Sequence, residues 1–125
     1  MTSLAPKFVE RASSSLELSL GAQVVRTISD DMETVTLGRG DENTMVVPET
    51  SASRRHANIT SRGGRFYLAD HSTNGTYVRQ VQGDEMAVHR DEILLNGSGF
   101  IRLGDPLGVE GTVDIGFATA SEDPA

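Results

Sequence analysis

The chain has 125 residues, with 13 glycines, no cysteine, no tryptophan and a formal net charge of −7. That length makes one domain, able to bury roughly two-thirds of its unfolded surface. The missing thiols exclude a disulfide framework and a thiolate metal site, and the acidity disfavours a nucleic-acid backbone as partner. Residues 1–15 read as a flexible tail, because Ser13-Ser14-Ser15 and the scattered charges before it carry no periodicity. The stretch from Met1 to Ala12 also lacks the apolar run of a signal peptide or membrane span. Strand signals follow in close order. Leu16, Leu18 and Leu20 alternate with Glu17 and Ser19, and short candidates at Val24–Ile28 and Thr34–Leu37 flank the polar turn Ser29-Asp30-Asp31. Thr44–Val47 stops at Pro48, which has no N–H to continue a ladder. Ala57–Thr60 and Arg65–Ala69 flank Gly63-Gly64, a hairpin signal. Thr76–Val81, Met86–Val88, Ile93–Leu95, Gly99–Leu103 and the alternating Val113, Ile115 and Phe117 complete the series, and residues 119–125 read as a tail or linker. No window of a dozen residues holds a helical stripe. Ten to eleven short, mainly antiparallel strands predict an all-β sandwich over residues 16–118.

Three clusters stand out in this scaffold: Gly38-Arg39, Ser53-Arg54-Arg55-His56 and Ser72-Thr73-Asn74-Gly75-Thr76. Each sets a donor suited to an oxyanion beside a turn-forming residue. Charge is distributed to match. Residues 1–38 hold three basic and five acidic side chains, residues 39–79 six and four, and residues 80–125 two and nine. The motif region is the only net-positive part of an acidic chain, which suits one phosphate group at a time. A guanidinium such as that of Arg39 offers forked, always charged donors to phosphate oxygens, and a serine hydroxyl adds one short bond.

Read together, Thr36-Leu37-Gly38-Arg39-Gly40, Ser51-Ala52-Ser53-Arg54-Arg55-His56-Ala57 and Asp70-His71-Ser72-Thr73-Asn74-Gly75-Thr76 resemble the forkhead-associated (FHA) family in order and spacing. The resemblance implies a β-sandwich that binds phosphothreonine segments of proteins phosphorylated by a Ser/Thr kinase, in trans or elsewhere in the same polypeptide. It casts Arg39 as the main electrostatic contact, Ser53 and Arg54 as further phosphate contacts, and Asn74 as a clamp on the peptide backbone. The Thr73 hydroxyl joins them as a donor that can reach the phosphate. Gly38, Gly75 and Thr76 are expected to shape the loops, and His56 to brace them from inside. Arg55 should point away from Arg54 by alternation, and Arg62 and Arg65 read as surface charge. Asn74-Gly75 also fits a plain hairpin turn. Peptide specificity is expected from Thr73–Arg79 and the region of Gln82-Gly83.

The C-terminal half departs from the pattern. Family members often carry Gly-Asp-x-Ile where this chain has Arg90-Asp91-Glu92-Ile93, so the turn must differ or carry strain. Asn96-Gly97-Ser98-Gly99 also makes a longer connection than expected. Competing functions remain open in the residues. Ser53, His56, Asp70 and His71 supply the side chains of a hydrolase, without a G-x-S-x-G elbow. His56, His71 and His89 have no metal-ligand spacing. A phosphate-independent interaction or oligomerisation module is the main rival. The expectation is therefore a non-catalytic, cytoplasmic adaptor with no cofactor, no metal, and neither nucleic acid nor membrane as partner.

Overall fold

The computed structural model describes residues 15–29, 32–81, 83–105 and 114–120. Of the expected tails at 1–15 and 119–125, residues 1–14 and 121–125 lie outside these residues, as do Val113, Gln82 and Asp30-Asp31, whereas Ser15, Thr119 and Ala120 are not tail but paired strand residues. Eleven strands and no helix make up the described part: β1 (Ser15–Leu20), β2 (Gln23–Ile28), β3 (Thr34–Gly38), β4 (Met45–Val46), β5 (Ala57–Arg62), β6 (Arg65–Asp70), β7 (Thr76–Gln80), β8 (Glu85–Val88), β9 (Glu92–Leu95), β10 (Ser98–Leu103) and β11 (Ile115–Ala120). They form a six-stranded sheet in the order β2-β1-β11-β10-β7-β8 and a five-stranded sheet in the order β4-β3-β5-β6-β9. Every pairing is antiparallel except β3 with β4.

The alternation read from the sequence is the alternation of burial. Leu16 and Leu18 of β1, Ile59 of β5, Leu68 of β6, Ile101 and Leu103 of β10 and Ile115 of β11 are all fully buried between the sheets. Each such side chain contributes about 1.5–3 kcal/mol over an exposed one. Arg102 breaks the pattern: it is 1% exposed and pairs with the Asp114 carboxylate. The outlying β2 buries only Ile28.

Gly63 and Gly64 make the β5–β6 hairpin, both with positive φ (61° and 80°). The connection from the five-stranded to the six-stranded sheet is only Asn96-Gly97, shorter than the expected Asn96–Gly99 because Ser98 and Gly99 already pair in β10, and it is braced. Asn96 N–H donates to Gln80 Oε1 (2.8 Å) and Gly97 N–H to Thr119 Oγ1 (2.9 Å). Strain falls where the sequence lacks the expected glycine, since Arg90 takes a left-handed φ of 55°.

Candidate functional site

The three clusters lie on the β3–β4, β4–β5 and β6–β7 connections and meet at one end of the sandwich. Backbone bonds knit the first two together: Arg39 N–H to Ser53 C=O (2.9 Å), Gly40 N–H to Arg54 C=O (3.0 Å) and His56 N–H to Leu37 C=O (2.9 Å). The approach is close enough that a Cβ on Gly38 would run into the Arg54 carbonyl oxygen and come within 2.9 Å of Asn43 Nδ2. Gly38 is thus required for contact distance. The third cluster joins through His71 N–H to His56 C=O (2.9 Å), Thr73 N–H to Ser53 Oγ (3.3 Å) and Asn74 Nδ2 to Ser51 C=O (3.1 Å).

His56, fully buried, ties all of this from inside. Its Nδ1 accepts the Ser53 N–H (2.9 Å), so Nε2 carries the proton and donates it to the Gly75 carbonyl (2.8 Å). Burial lowers the imidazole pKa below its ordinary 6.5, against the opposing pull of Gly75 C=O and Asp70. The neutral tautomer is the one that fits both partners.

Asp70, at the end of β6, is a second brace that sequence reasoning missed. Its Oδ1 accepts from Ser72 Oγ (2.7 Å) and Thr76 Oγ1 (2.6 Å), and its Oδ2 from Arg90 N–H (2.8 Å) and Ser72 N–H (3.2 Å). Burial alone would raise its pKa, but the bonds from Thr76, Arg90 and Ser72 prevail and hold it below its ordinary value. Gly75 N–H donates to Ser72 Oγ (2.7 Å), which extends the network to the third cluster. The available signal was Asp70-x-Ser72, a side-chain-to-backbone turn pattern. Arg90 keeps its left-handed backbone because its N–H is needed here.

Asn74-Gly75 is not a hairpin turn. β6 and β7 belong to different sheets, so the loop is a crossover, and Gly75 makes the turn with φ 92°. Thr76 is fully buried and serves Asp70.

On the outer surface of this frame stand the exposed groups. Arg39 is exposed, and its Nε donates to the Ala52 carbonyl (3.0 Å), which orients the guanidinium and leaves both Nη groups. Ser53 Oγ is half-buried and accepts from Thr73 N–H, so its own proton is not spent on that bond. Thr73 and Asn74 are exposed. Arg54 reaches Glu42 (Nη2 to Oε1, 3.0 Å), and Arg55 reaches the same carboxylate (Nε to Oε2, 3.5 Å). The expected divergence of Arg54 and Arg55 does not occur, because both precede β5, where strand alternation does not apply. Glu42 and Asn43 were not picked out in the sequence. Asn43 Nδ2 donates to the carbonyls of Gly40 and Arg54 and fixes the β3–β4 turn. Arg62 pairs with Glu92 (2.9 Å) and lies over the Tyr67 ring, away from the site. Among the described residues, no group of three His, Asp or Glu side chains is placed to hold a metal ion, and no helix is long and apolar enough to cross a membrane.

A two-sheet β-sandwich presenting oxyanion donors on three bridged loops defines an interaction domain of the phosphopeptide-reading architecture. Residues 35–104, more than half of the chain, match the FHA domain model, and the chain belongs to that family. FhaB of Mycobacterium tuberculosis, an FHA domain-containing protein, is 37% identical over 68 residues, which are 54% of this chain and 44% of FhaB. The oxoglutarate dehydrogenase inhibitor of Corynebacterium diphtheriae is 37% identical over 65 residues, 50% of this chain and 46% of that protein. The match thus spans less than half the length of either relative. Among solved structures, the FhaA FHA domain complexed with the intracellular domain of Rv3910 shares 31% identity at a TM-score of 0.58, covering 86% of this chain and 100% of that one. The MEK1 FHA domain in complex with a phosphothreonine peptide of HOP1 shares 26% identity at 0.60, covering 82% and 94%.

Proposed function

We propose that this chain is a non-catalytic adaptor domain that binds phosphothreonine segments of proteins phosphorylated by a Ser/Thr kinase. Residues 16–118 are its working unit. Arg39 and Arg54 supply charge to the phosphate, Ser53 and Thr73 supply short hydrogen bonds, and Asn74 holds the peptide backbone. Gly38, His56, Gly75 and Thr76 support the loops. The observation that carries this reading is the bridging of the three clusters at one end of the sandwich, with the oxyanion donors outermost. The partner is another protein or another part of the same polypeptide, in a cytoplasmic setting that the absence of cysteine favours.

Hydrolysis is disfavoured by His56 itself. Its Nδ1 is taken by the Ser53 N–H and its Nε2 by Gly75, so neither ring nitrogen is free to take the Ser53 hydroxyl proton. The net charge of −7 opposes nucleic-acid binding. No cofactor, metal or membrane enters the proposal. A phosphate-independent interface is the second reading. It is favoured by Val81 and Phe100, 60% and 47% exposed, which both border one groove on the six-stranded sheet.

The test is binding of a degenerate phosphothreonine peptide pool, beside phosphoserine and unphosphorylated pools, with Arg39→Ala as control. Phosphothreonine binding lost in the variant, with the fold intact by circular dichroism, is the expected result. Phosphoserine should bind several-fold more weakly, as one buried methyl is worth about 1 kcal/mol. Equal binding to all pools, or to none, moves the function to the second reading.

A further inference from the structure

We propose that Glu42 is a resident competitor for the bound phosphate. Its carboxylate holds Arg54 and Arg55 in the empty domain and must be displaced before Arg54 engages a ligand. The inference rests on the phosphopeptide reading above and deepens it, by naming a residue that sets how much negative charge a ligand must bring.

The carboxylate is seated by the loop. Asn43 N–H donates to the Gly40 carbonyl (3.2 Å), and the Asn43 amide ties that turn to the Arg54 carbonyl. Glu42 is thereby held next to the segment that carries Arg54. A Cβ on Gly40 would run into Glu42 Oε1 and come within 2.8 Å of its Cδ, so the carboxylate lies flat against the Gly40 backbone. From there it divides itself, with Oε1 on Arg54 and Oε2 on Arg55. Its own backbone N–H, together with Arg54 and Arg55, lowers its pKa, so it is ionised at neutral pH.

The consequence is competition between anions of unequal charge. The Arg54 and Arg55 side chains are 68% and 79% exposed, and ion pairs of that kind are weak in water. A phosphothreonine brings about −1.5 to −2 charges and three acceptor oxygens, and it meets Arg39 and Ser53 as well. It has the means to draw Arg54 off Glu42. An aspartate or glutamate in the same peptide position offers only what Glu42 already offers. Glu42 also acts from within the molecule, at an effective concentration on the order of millimolar or more. The resident carboxylate therefore sets the same cost on any anion that takes Arg54, and a phosphate has the charge and further contacts to meet it where a carboxylate does not.

The experiment measures the affinity of the best phosphothreonine peptide from the pool above, and of its glutamate counterpart, for five proteins: wild type, Glu42→Gln, Gly40→Ala, Arg54→Ala, and the double variant Glu42→Gln with Arg54→Ala. Glu42→Gln is expected to bind the phosphopeptide roughly two- to fivefold more tightly, the effect of no longer having to break a weak exposed ion pair. The gain should disappear when Arg54 is alanine, because the coupling then has no partner. Gly40→Ala keeps the charge but unseats the carboxylate, and should tighten binding in the same direction by a smaller factor. Phosphopeptide binding by Glu42→Gln equal to or weaker than wild type overturns the inference. So does a gain that persists without Arg54, or one that Gly40→Ala fails to share, since either would make Glu42 a diffuse charge only. Absence of phosphopeptide binding by wild type removes the adaptor reading and this inference together. Circular dichroism of each variant separates these outcomes from misfolding.

Discussion

Replacing Asp70 tests whether the loops stand on a buried carboxylate. In Asp70→Ala, the Ser72 N–H, the Ser72 and Thr76 hydroxyls and the Arg90 N–H all lose their acceptor. Arg90 is exposed, and water can replace what it loses. Ser72 and Thr76 are 1% and 0% exposed, so their three donors are stranded. At about 1–2 kcal/mol for each stranded donor, the loss is roughly 3–6 kcal/mol out of the ~5–15 kcal/mol that holds a typical domain. Asp70→Asn keeps the shape and one acceptor oxygen, and should cost about half as much. Urea denaturation followed by far-UV circular dichroism is the assay, as the chain has no tryptophan to report. Acid titration is the second readout. The folded pKa of Asp70 lies below 3.8, so its contribution is complete above that value and is lost as pH falls through the lower folded pKa. Wild type should therefore lose stability below about pH 4, and Asp70→Asn should lack that component. An Asp70→Ala variant within about 1 kcal/mol of wild type would refute the reasoning.

Three further outcomes follow from the same geometry. His56 has a folded pKa below its ordinary 6.5, so the unfolded chain binds more protons between the two values. Stability is complete above pH 6.5 and falls as pH drops from there to the folded pKa, and His56→Gln should flatten this slope in denaturation curves taken from pH 7.5 to 5. Gly38→Ala drives a methyl group into the Arg54 backbone carbonyl. It should cost about 1–3 kcal/mol and weaken phosphopeptide binding in the molecules that remain folded. Arg90→Gly removes a left-handed cost of about 1–2 kcal/mol and adds about 0.5–1 kcal/mol of unfolded-chain freedom. The variant should be as stable as wild type or slightly more so in the same urea titration, and a clear loss would assign the Arg90 side chain a contact of its own.

The strands were legible in the sequence because each writes its burial locally. Leu16 and Leu18, Ile59 and Ser61, and Ile115 and Phe117 alternate inward with period two, and all are buried. The sheet to which a strand belongs is not local. Nothing in Asn74-Gly75 distinguishes a hairpin from a crossover, because the same left-handed glycine serves both, and only the partners of β6 and β7 decide it. Surface candidates such as the exposed Arg39 and the half-buried Ser53 were visible through residue type and order. The groups that hold them were harder to see. Asp70 works through Thr76 and Arg90, six and twenty residues away, and Glu42 through Arg54 and Arg55 across a turn. Arg90 was legible in part, since the lack of a glycine foretold strain and the structure concentrates it at that residue.

In the proposed function, support and recognition rest on different hydrogen bonds, and this separation decides how variants should behave. The bonds of His56, Asp70, Ser72 and Thr76 run among one another and the loop backbone, and their burial keeps a ligand from competing for them. Arg39, by contrast, spends one N–H on Ala52, and in the proposed role the rest of its fork serves an oxyanion. That single bond lowers the entropy lost when a ligand arrives, since the side chain is already oriented. Among the described residues, the Arg54 side chain has no comparable tether to the backbone and is held by Glu42 alone. Substitutions in the buried layer should move the unfolding midpoint first and affinity as a consequence. Arg39→Ala should move affinity alone. Arg54 stands between the two in the proposed competition: a ligand would have to break the bond that orients it, so its contribution to binding would be a difference between two ion pairs and depend on both anions.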